Sequence, residues 1–351
     1  MGSFGANKFY LKGLDGLRAL CALFILLGHI SQTDFCDWGG REIFSIPVPV
    51  CSAYVFFVIS GFLAGYRMET VTVMESYYKK KAWRLFPLYY IYVLFTIVVY
   101  LVLGWGKVVV DGRLFYYLLL VPEIPFCTAT GILPLVHLWF IGVLILFYAL
   151  VPLLAKVEGG KRKQVSLVLA ISWFLLKALS YFVFGKESFI YRFCGTVCFD
   201  ILFFSVFAGL FLRERDVNVL PDSLWGESII KPLGILSCIL FLGSGFYGHL
   251  IPAPIRTEYV SLLAVLIIAG QQSSHPIISL ENKVFRWFGD ISYEIYVVQI
   301  LVIILLSRLY LVAGVELPDV IIYFVCVFVV IGCAWLMKKS TSFLRGSIIM
   351  R

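Results

Sequence analysis

The sequence predicts an all-α, polytopic membrane protein with about ten transmembrane helices and with both termini in the cytoplasm. Hydrophobic residues make up 61% of the 351 residues and charged residues only 14%. Soluble domains contain roughly 45–50% apolar and 25% charged residues, so a soluble fold is excluded. Lys and Arg concentrate in alternate connections between the apolar segments, which is typical of a membrane topology. The net charge of +8 follows from this pattern, and we expect no nucleic-acid partner.

Ten apolar segments follow one another along the chain, each near the length of about 20 residues that crosses a bilayer. They cover residues 14–31, 48–66, 85–104, 134–155, 165–184, 195–212, 230–249, 256–272, 291–311 and 318–337. A shorter apolar piece, residues 114–126, is broken by Pro122 and Pro125. We expect it to be interfacial or re-entrant and to pack on protein, because irregular backbone is not tolerated against lipid.

The distribution of basic residues orients these segments. With a cytoplasmic N-terminus, 21 of the 29 Lys and Arg residues fall on the inner side, a clear positive-inside bias. An odd number of spans would scramble this alternation, so the bias supports ten. No polar connection exceeds about 20 residues. The sequence therefore predicts one transmembrane domain over residues 1–351, without a soluble appended domain.

Two ionisable residues lie in the first apolar segment. Arg18 and His29 are eleven positions apart, so a helix places both on one face with roughly 16 Å of rise between them. An ionisable residue within a membrane helix costs roughly 2.5–3.5 kcal/mol and usually faces a protein interior or a wet cavity. The pair therefore suggests a polar path along this helix. Alternatively, Arg18 only reaches to the inner surface and His29 caps the outer end.

A dense basic cluster precedes the third span, with Lys79, Lys80, Lys81 and Arg84 within six residues. Anchoring against anionic lipid explains many such clusters. An anion site for a phosphorylated cosubstrate is the functional alternative. Lys81 and Arg84 are spaced i, i+3 and would share a helix face, and Arg84 could contact phosphate with two parallel hydrogen bonds.

Other polar residues within the spans admit two interpretations each. Ser60 either belongs to a contact of small residues between helices or donates a hydrogen bond into the polar path. His137 opens the fourth span and is expected near the outer surface, in an aromatic belt. Asp200 and Glu294 are functional candidates, or partners for a basic residue such as Arg18 or Lys177. No spacing typical of metal ligands is present, so we predict no metal.

Five segments together resemble the acyltransferase-3 family of bacterial integral-membrane proteins. They read LDGLRALCALFILLGH, FFVISGF, KAWRLFPLYY, HLWFIGVLILFYALVPLL and GDISYEIYVVQ, and they occur in the family's order between residues 14 and 299. The resemblance implies ten spans in a bacterial inner membrane. It also implies transfer of an acyl group, usually acetyl from acetyl-CoA, to a hydroxyl of an envelope polysaccharide or lipid-linked glycan.

This sequence departs from the family pattern at several positions. Lys81 stands where the family's RxxR motif begins, which keeps the charge but loses the planar fork of Arg. Leu144 and Ile145 replace acidic residues of many members, and Gln299 replaces a frequent His, so we do not expect Gln299 to carry a proton. Some members carry a secreted hydrolase-like C-terminal domain. Only about 14 residues follow the last predicted span here, so we expect any such partner to be a separate protein.

The resemblance assigns roles to the matching residues. His29 would be the general base for the acceptor hydroxyl, with an acetyl-histidine intermediate as a less favoured variant. Arg18 would bind donor phosphate or orient the thioester arm. Arg84, Lys81 and Lys80 would hold the phosphates of acyl-CoA, with Ser60 nearby. A neutral imidazole is needed, so activity should fall as the pH drops below the pKa of His29.

Two other classes of protein compete with this interpretation. A transporter or flippase without covalent chemistry would use the same polar residues to line a substrate path. A catalytically inactive scaffold is the weaker alternative, because Arg18 and His29 are both retained.

Overall fold

A computed structural model describes residues 11–33, 41–105, 112–121, 132–217, 229–272, 279–314 and 318–349. The predicted break at Pro122 and Pro125 lies outside these residues. The predicted all-α class is confirmed. In the described part of the chain, extended structure is confined to two antiparallel two-residue strands, β1 (Glu42–Ile43) and β2 (Ile46–Pro47).

Fourteen α-helices are present in the described ranges. They are α1 (Leu14–Ile30), α2 (Val48–Tyr66), α3 (Met74–Val102), α4 (Leu114–Leu118), α5 (Trp139–Ala155), α6 (Gly159–Phe184), α7 (Phe189–Val197), α8 (Phe199–Val217), α9 (Lys231–Leu242), α10 (Ser244–Tyr247), α11 (Arg256–Gln271), α12 (Lys283–Asp290), α13 (Ser292–Ala313) and α14 (Asp319–Ile349). A one-turn 3₁₀ helix, Val136–Leu138, lies just before α5, and another, Gly248–Leu250, lies just after α10.

The helices agree with a polytopic membrane protein. Eight described helical segments are long and apolar enough to cross a membrane, and the pair formed by Lys231–Leu242 and Ser244–Leu250, bent by 63°, provides a ninth. α1 has 17 residues, at the short end of the range that spans a bilayer. If α1 is counted and the bent pair is one span, the described residues offer up to ten candidates; the number of spans itself stays a prediction. Which side each end faces stays a prediction.

Several helices begin or end well beyond the predicted spans. α3 begins at Met74, so the basic cluster at residues 79–84 lies on its first turns. α14 continues to Ile349, past the predicted end of the last span at residue 337. Hydropathy marks where a helix enters apolar surroundings, whereas the polar turns outside still satisfy their backbone hydrogen bonds by remaining helical.

Small residues allow α2 and α8 to pack backbone to backbone. A Cβ atom at Gly61 would lie 2.4 Å from the Leu202 carbonyl oxygen, and one at Gly65 would lie 2.1 Å from that of Val206. On the facing helix, a Cβ at Gly209 would lie 2.1 Å from the Phe62 carbonyl oxygen. Close approach of this kind is the main source of helix association in lipid, where the hydrophobic effect between helices is weak.

The connection between α3 and α5 returns deep into the bundle. The Tyr89 hydroxyl donates to the Tyr117 carbonyl over 2.8 Å, and the Tyr90 hydroxyl donates to Leu118 over 3.0 Å. These tyrosines lie roughly 20 Å back along α3 from its end at Val102. α4 therefore packs on α3. Whether residues 114–126 are interfacial or re-entrant stays a prediction.

α1 lies inside the bundle and positions the candidate site. It packs against α2, α12, α13 and α14. One face of α1 is covered, with Ala19, Ala22, Leu26 and Ile30 at zero exposure, whereas Phe24 on another face is exposed. The burial fixes the rotation of α1 about its axis, and with it the directions of Arg18 and His29.

Candidate active site

A cavity of about 360 Å³ lies where the start of α1 meets the second half of α2, the start of α3, the first turns of α5 and the start of α13. Five basic side chains and one acidic side chain border it: Arg18, Arg67, Lys80, Lys81, Arg84 and Asp15. We call this space the inner cavity. Clustered like charges repel one another and attract anions, so the cavity favours a polyanionic ligand. Arg18, Lys80, Lys81 and Arg84, predicted separately from the sequence, are all brought together here.

Arg18 is balanced locally by one carboxylate. Its Nη1 atom donates to Asp15 Oδ1 over 2.9 Å, from one turn earlier on α1. Asp15 is the acidic residue on the cavity wall. Neither Asp200 nor Glu294 borders the inner cavity, and the carboxylate that contacts Arg18 there is Asp15.

Lys81 is held by aromatic rings. Its Nζ atom lies 3.7 Å from the centroid of the Tyr148 ring and 5.5 Å from that of Tyr77. Cation–π contacts hold an ammonium group without neutralising it. The aromatic rings therefore orient the Lys81 side chain at the cavity wall, although it lacks the planar fork of Arg.

The second span is expected to provide either a small-residue contact between helices or a polar group at the site. Ser60 and Gly61 face different neighbours. Ser60 borders the inner cavity, whereas Gly61 faces the Leu202 backbone of α8. The small-residue helix contact is thus made by the glycine, and the serine hydroxyl faces the site. Leu144 also lines the cavity, so an apolar side chain stands where many family members are expected to have a carboxylate.

A second cavity of about 150 Å³ contains His29. It is lined by two histidines and two large aromatic residues, His29, His137, Trp139 and Tyr296, together with Ile25, Pro49, Val50, Ala53 and Val136. We call it the histidine cavity. Nδ1 of His29 and Nδ1 of His137 are both buried, and neither has a hydrogen-bond partner in the structure. Unpartnered buried nitrogens cost free energy, which a bound polar group would recover.

The prediction that His137 belongs to an aromatic belt is wrong, because protein encloses its side chain; its depth relative to the outer surface stays a prediction. The residue exposure of His137 is 5%, and its Nε2 atom lies 2.9 Å from the Val297 carbonyl oxygen of α13. The Tyr92 hydroxyl donates to the Pro134 carbonyl over 3.2 Å, which shows that the chain before α5 dips into the bundle. Hydropathy cannot distinguish a helix that starts at the surface from one that starts inside. The sequence does contain a sign that His137 is functional, because the HLWF segment belongs to one of the five matched motifs.

Tyr296 separates the two cavities and borders both. Its hydroxyl donates to the His137 carbonyl oxygen, and its ring centroid lies 5.2 Å from that of Phe140. The polar path predicted along α1 is therefore divided. Arg18 opens into the inner cavity and His29 into the histidine cavity, with aromatic side chains between them.

The other buried ion pair lies away from both cavities. Lys177 donates to Asp200 and to Glu258, and also to the Thr257 hydroxyl over 2.7 Å. Lys177 is thus the partner of Asp200, one of the two alternatives that the sequence leaves open. Glu294 is buried and borders neither cavity. Within the described ranges, no group of three His, Cys, Asp or Glu side chains could hold a metal ion.

Comparison with known proteins places this site in a family. The family model described as "Acyltransferase domain" matches residues 11–339. The chain is 25% identical over 326 residues to the "Putative peptidoglycan O-acetyltransferase YrhL" of Bacillus subtilis (strain 168), covering 84% of this chain and 49% of that protein. It is 22% identical over 354 residues to the "O-acetyltransferase OatA" of Staphylococcus aureus (strain NCTC 8325 / PS 47), covering 86% of this chain and 56% of that protein.

The chain spans about half the length of these curated relatives. No solved structure matches it. The family match covers nearly the entire sequence and includes both cavities and all five matched motifs. The chain therefore belongs to the acyltransferase-3 family of integral-membrane proteins.

Proposed function

We propose that this protein transfers an acyl group, in the simplest case acetyl, from acyl-CoA to a hydroxyl of a cell-envelope glycan. The observation that carries the proposal is the inner cavity, where Arg18, Lys80, Lys81 and Arg84 converge. The phosphates of CoA are the anionic groups that such a cavity would hold. Peptidoglycan is the first acceptor to test, because it appears in the name of one relative. The bacterial inner membrane is the corresponding location.

In this proposal the donor binds by its phosphates among the basic residues, and its pantetheine arm extends toward His29. Arg84 contacts phosphate through its planar fork, while Lys80 and Lys81 act as point charges. The roughly 16 Å of rise between Arg18 and His29 is the distance that the arm must cover. Because Tyr296 and Phe140 lie between the cavities, the arm passes only if one of these rings changes rotamer.

His29 acts as the general base of the reaction. The acceptor hydroxyl gives its proton to the neutral imidazole while its oxygen attacks the thioester carbonyl. A C–O bond forms, the C–S bond breaks, and the proton passes from His29 to the departing thiolate. Gln299 does not carry the proton, because an amide does not titrate; its Nε2 atom donates to the Tyr296 carbonyl over 3.1 Å.

Radiolabelled acetyl-CoA tests the proposal directly. Purified protein in nanodiscs, supplied with peptidoglycan fragments, should move label from acetyl-CoA to the glycan. A transporter or flippase would leave both protein and glycan unlabelled. Mass spectrometry of envelope glycans from deletion and wild-type cells should show a difference of one acyl group and would identify both the group and its acceptor.

A further inference from the structure

The hydrogen bond that His137 makes to α13 fixes the proton on its ring. The Val297 carbonyl oxygen can only accept, so Nε2 of His137, 2.9 Å away, carries the hydrogen and donates. In a neutral imidazole the other nitrogen then holds a lone pair. Nδ1 of His137 is therefore a hydrogen-bond acceptor.

This acceptor has no donor within the protein. Nδ1 is buried without a hydrogen-bond partner, and the whole residue is only 5% exposed. Much of the histidine cavity wall is apolar, formed by residues such as Ile25, Pro49 and Val136. A buried acceptor left unsatisfied costs roughly 1–3 kcal/mol of free energy. A ligand that donates a hydrogen bond to Nδ1 would remove this cost.

We propose that Nδ1 of His137 accepts a hydrogen bond from a second hydroxyl of the acceptor glycan, next to the hydroxyl that His29 deprotonates. The inference rests on the proposed acyl transfer to a glycan. One hydroxyl has a single proton and cannot donate to both imidazoles, so two histidines in one cavity match two neighbouring hydroxyls. His137 is then a substrate-binding residue that selects a sugar with a second free hydroxyl and orients the reacting one.

A purely structural role for His137 is the alternative, because its Nε2 bond ties the start of α5 to α13. Two substitutions separate the roles. The amide of Gln reaches about as far as Nε2, so His137→Gln keeps a donor for Val297 and loses the acceptor. The amide of Asn reaches about as far as Nδ1, so His137→Asn keeps an acceptor oxygen in the cavity and loses the Val297 bond.

The experiment measures acetyl transfer from acetyl-CoA to muropeptides by both purified variants, with acetyl-CoA affinity and thermal unfolding measured alongside. His137→Gln should unfold near the wild-type temperature and bind acetyl-CoA normally, while kcat/KM for the muropeptide falls about tenfold, as expected for one lost hydrogen bond. His137→Asn should unfold at a lower temperature but retain kcat/KM within about threefold, per folded molecule.

Any other order of the two variants overturns the inference. Wild-type kcat/KM for His137→Gln would show that the acceptor nitrogen is not used. Loss in His137→Asn equal to or larger than that in His137→Gln would assign the residue to holding α5 against α13. Failure of the proposed function looks different, because the wild-type protein itself would then transfer no label, and both proposals would fall.

Discussion

Arg84 and Lys79 lie five residues apart at the start of α3, but only Arg84 borders the inner cavity. Because bidentate contacts to phosphate are worth about 1.5–3 kcal/mol, Arg84→Ala should weaken acetyl-CoA binding about 10- to 100-fold. Lys79→Ala is the matched control and should change the affinity less than twofold. Calorimetric titration of acetyl-CoA into both proteins measures the difference. If both substitutions change the affinity for acetyl-CoA negligibly, the basic cluster serves to anchor the protein to anionic lipid instead.

Substitution of Lys177 is expected to lower the stability of the protein. The ammonium of Lys177 is 4% exposed and pairs with both Asp200 and Glu258. Lys177→Met leaves the buried Asp200 and the partly exposed Glu258 without their cation, which should cost about 3–5 kcal/mol of unfolding free energy. The exposed Lys186, a little further along the chain, provides the control. A large fall in unfolding temperature for Lys177→Met, with little change for Lys186→Met, is the expected result. Equal stability of the two variants would contradict a structural role for the cluster.

The sequence predicts which residues have a functional or structural role, but it predicts their contacts in the folded protein less well. Charged residues in apolar segments stand out in the sequence, which is why Asp200 can be predicted as a possible partner of Lys177. The contact between Lys81 and Tyr148, by contrast, joins residues 67 positions apart on two helices. Such contacts depend on how the helices rotate against each other, which a single sequence does not determine.

At the scale of elements, the contact between α2 and α8 depends on glycines. A methyl group at Gly65 would meet the Val206 carbonyl oxygen at 2.1 Å, a backbone atom that cannot move aside alone. Gly65→Ala should therefore force the helices apart and destabilise the protein by about 1–3 kcal/mol. Gly332→Ala in α14 is the control, because a Cβ there has nothing within 4 Å and Ala favours a helix. Thermal unfolding in detergent compares them, and unchanged stability of Gly65→Ala would argue against this packing.

Apolar length and periodicity predict most helices because a segment of about 20 apolar residues has few alternatives in a bilayer. The same reasoning does not predict that protein encloses His137. The chain before α5 is irregular, and irregular backbone may lie at depth only where protein covers it. That cover comes from α3 and α13, through Tyr92 and Val297, so the position of His137 depends on tertiary packing.

At the scale of the whole molecule, the account requires the basic inner cavity to face the cytoplasm, where acyl-CoA is made available. Reporter fusions after residue 160 and at the C-terminus should therefore report cytoplasm. Fusions near residues 110 and 187 should report the outer side. A cytoplasmic signal at 187 would break the alternation of ten spans and would place the basic residues on the wrong side for a cytosolic donor.

If His29 performs the chemistry while the inner cavity binds the donor, purified His29→Ala protein in nanodiscs should lose turnover but keep its affinity for acetyl-CoA. Turnover with acetyl-CoA and affinity for acetyl-CoA are measured on the same sample. Removal of a general base should lower turnover by about 10²- to 10⁴-fold. Donor affinity should stay within about twofold of wild type, because the basic residues border a different cavity. Turnover near the wild-type rate would contradict the account.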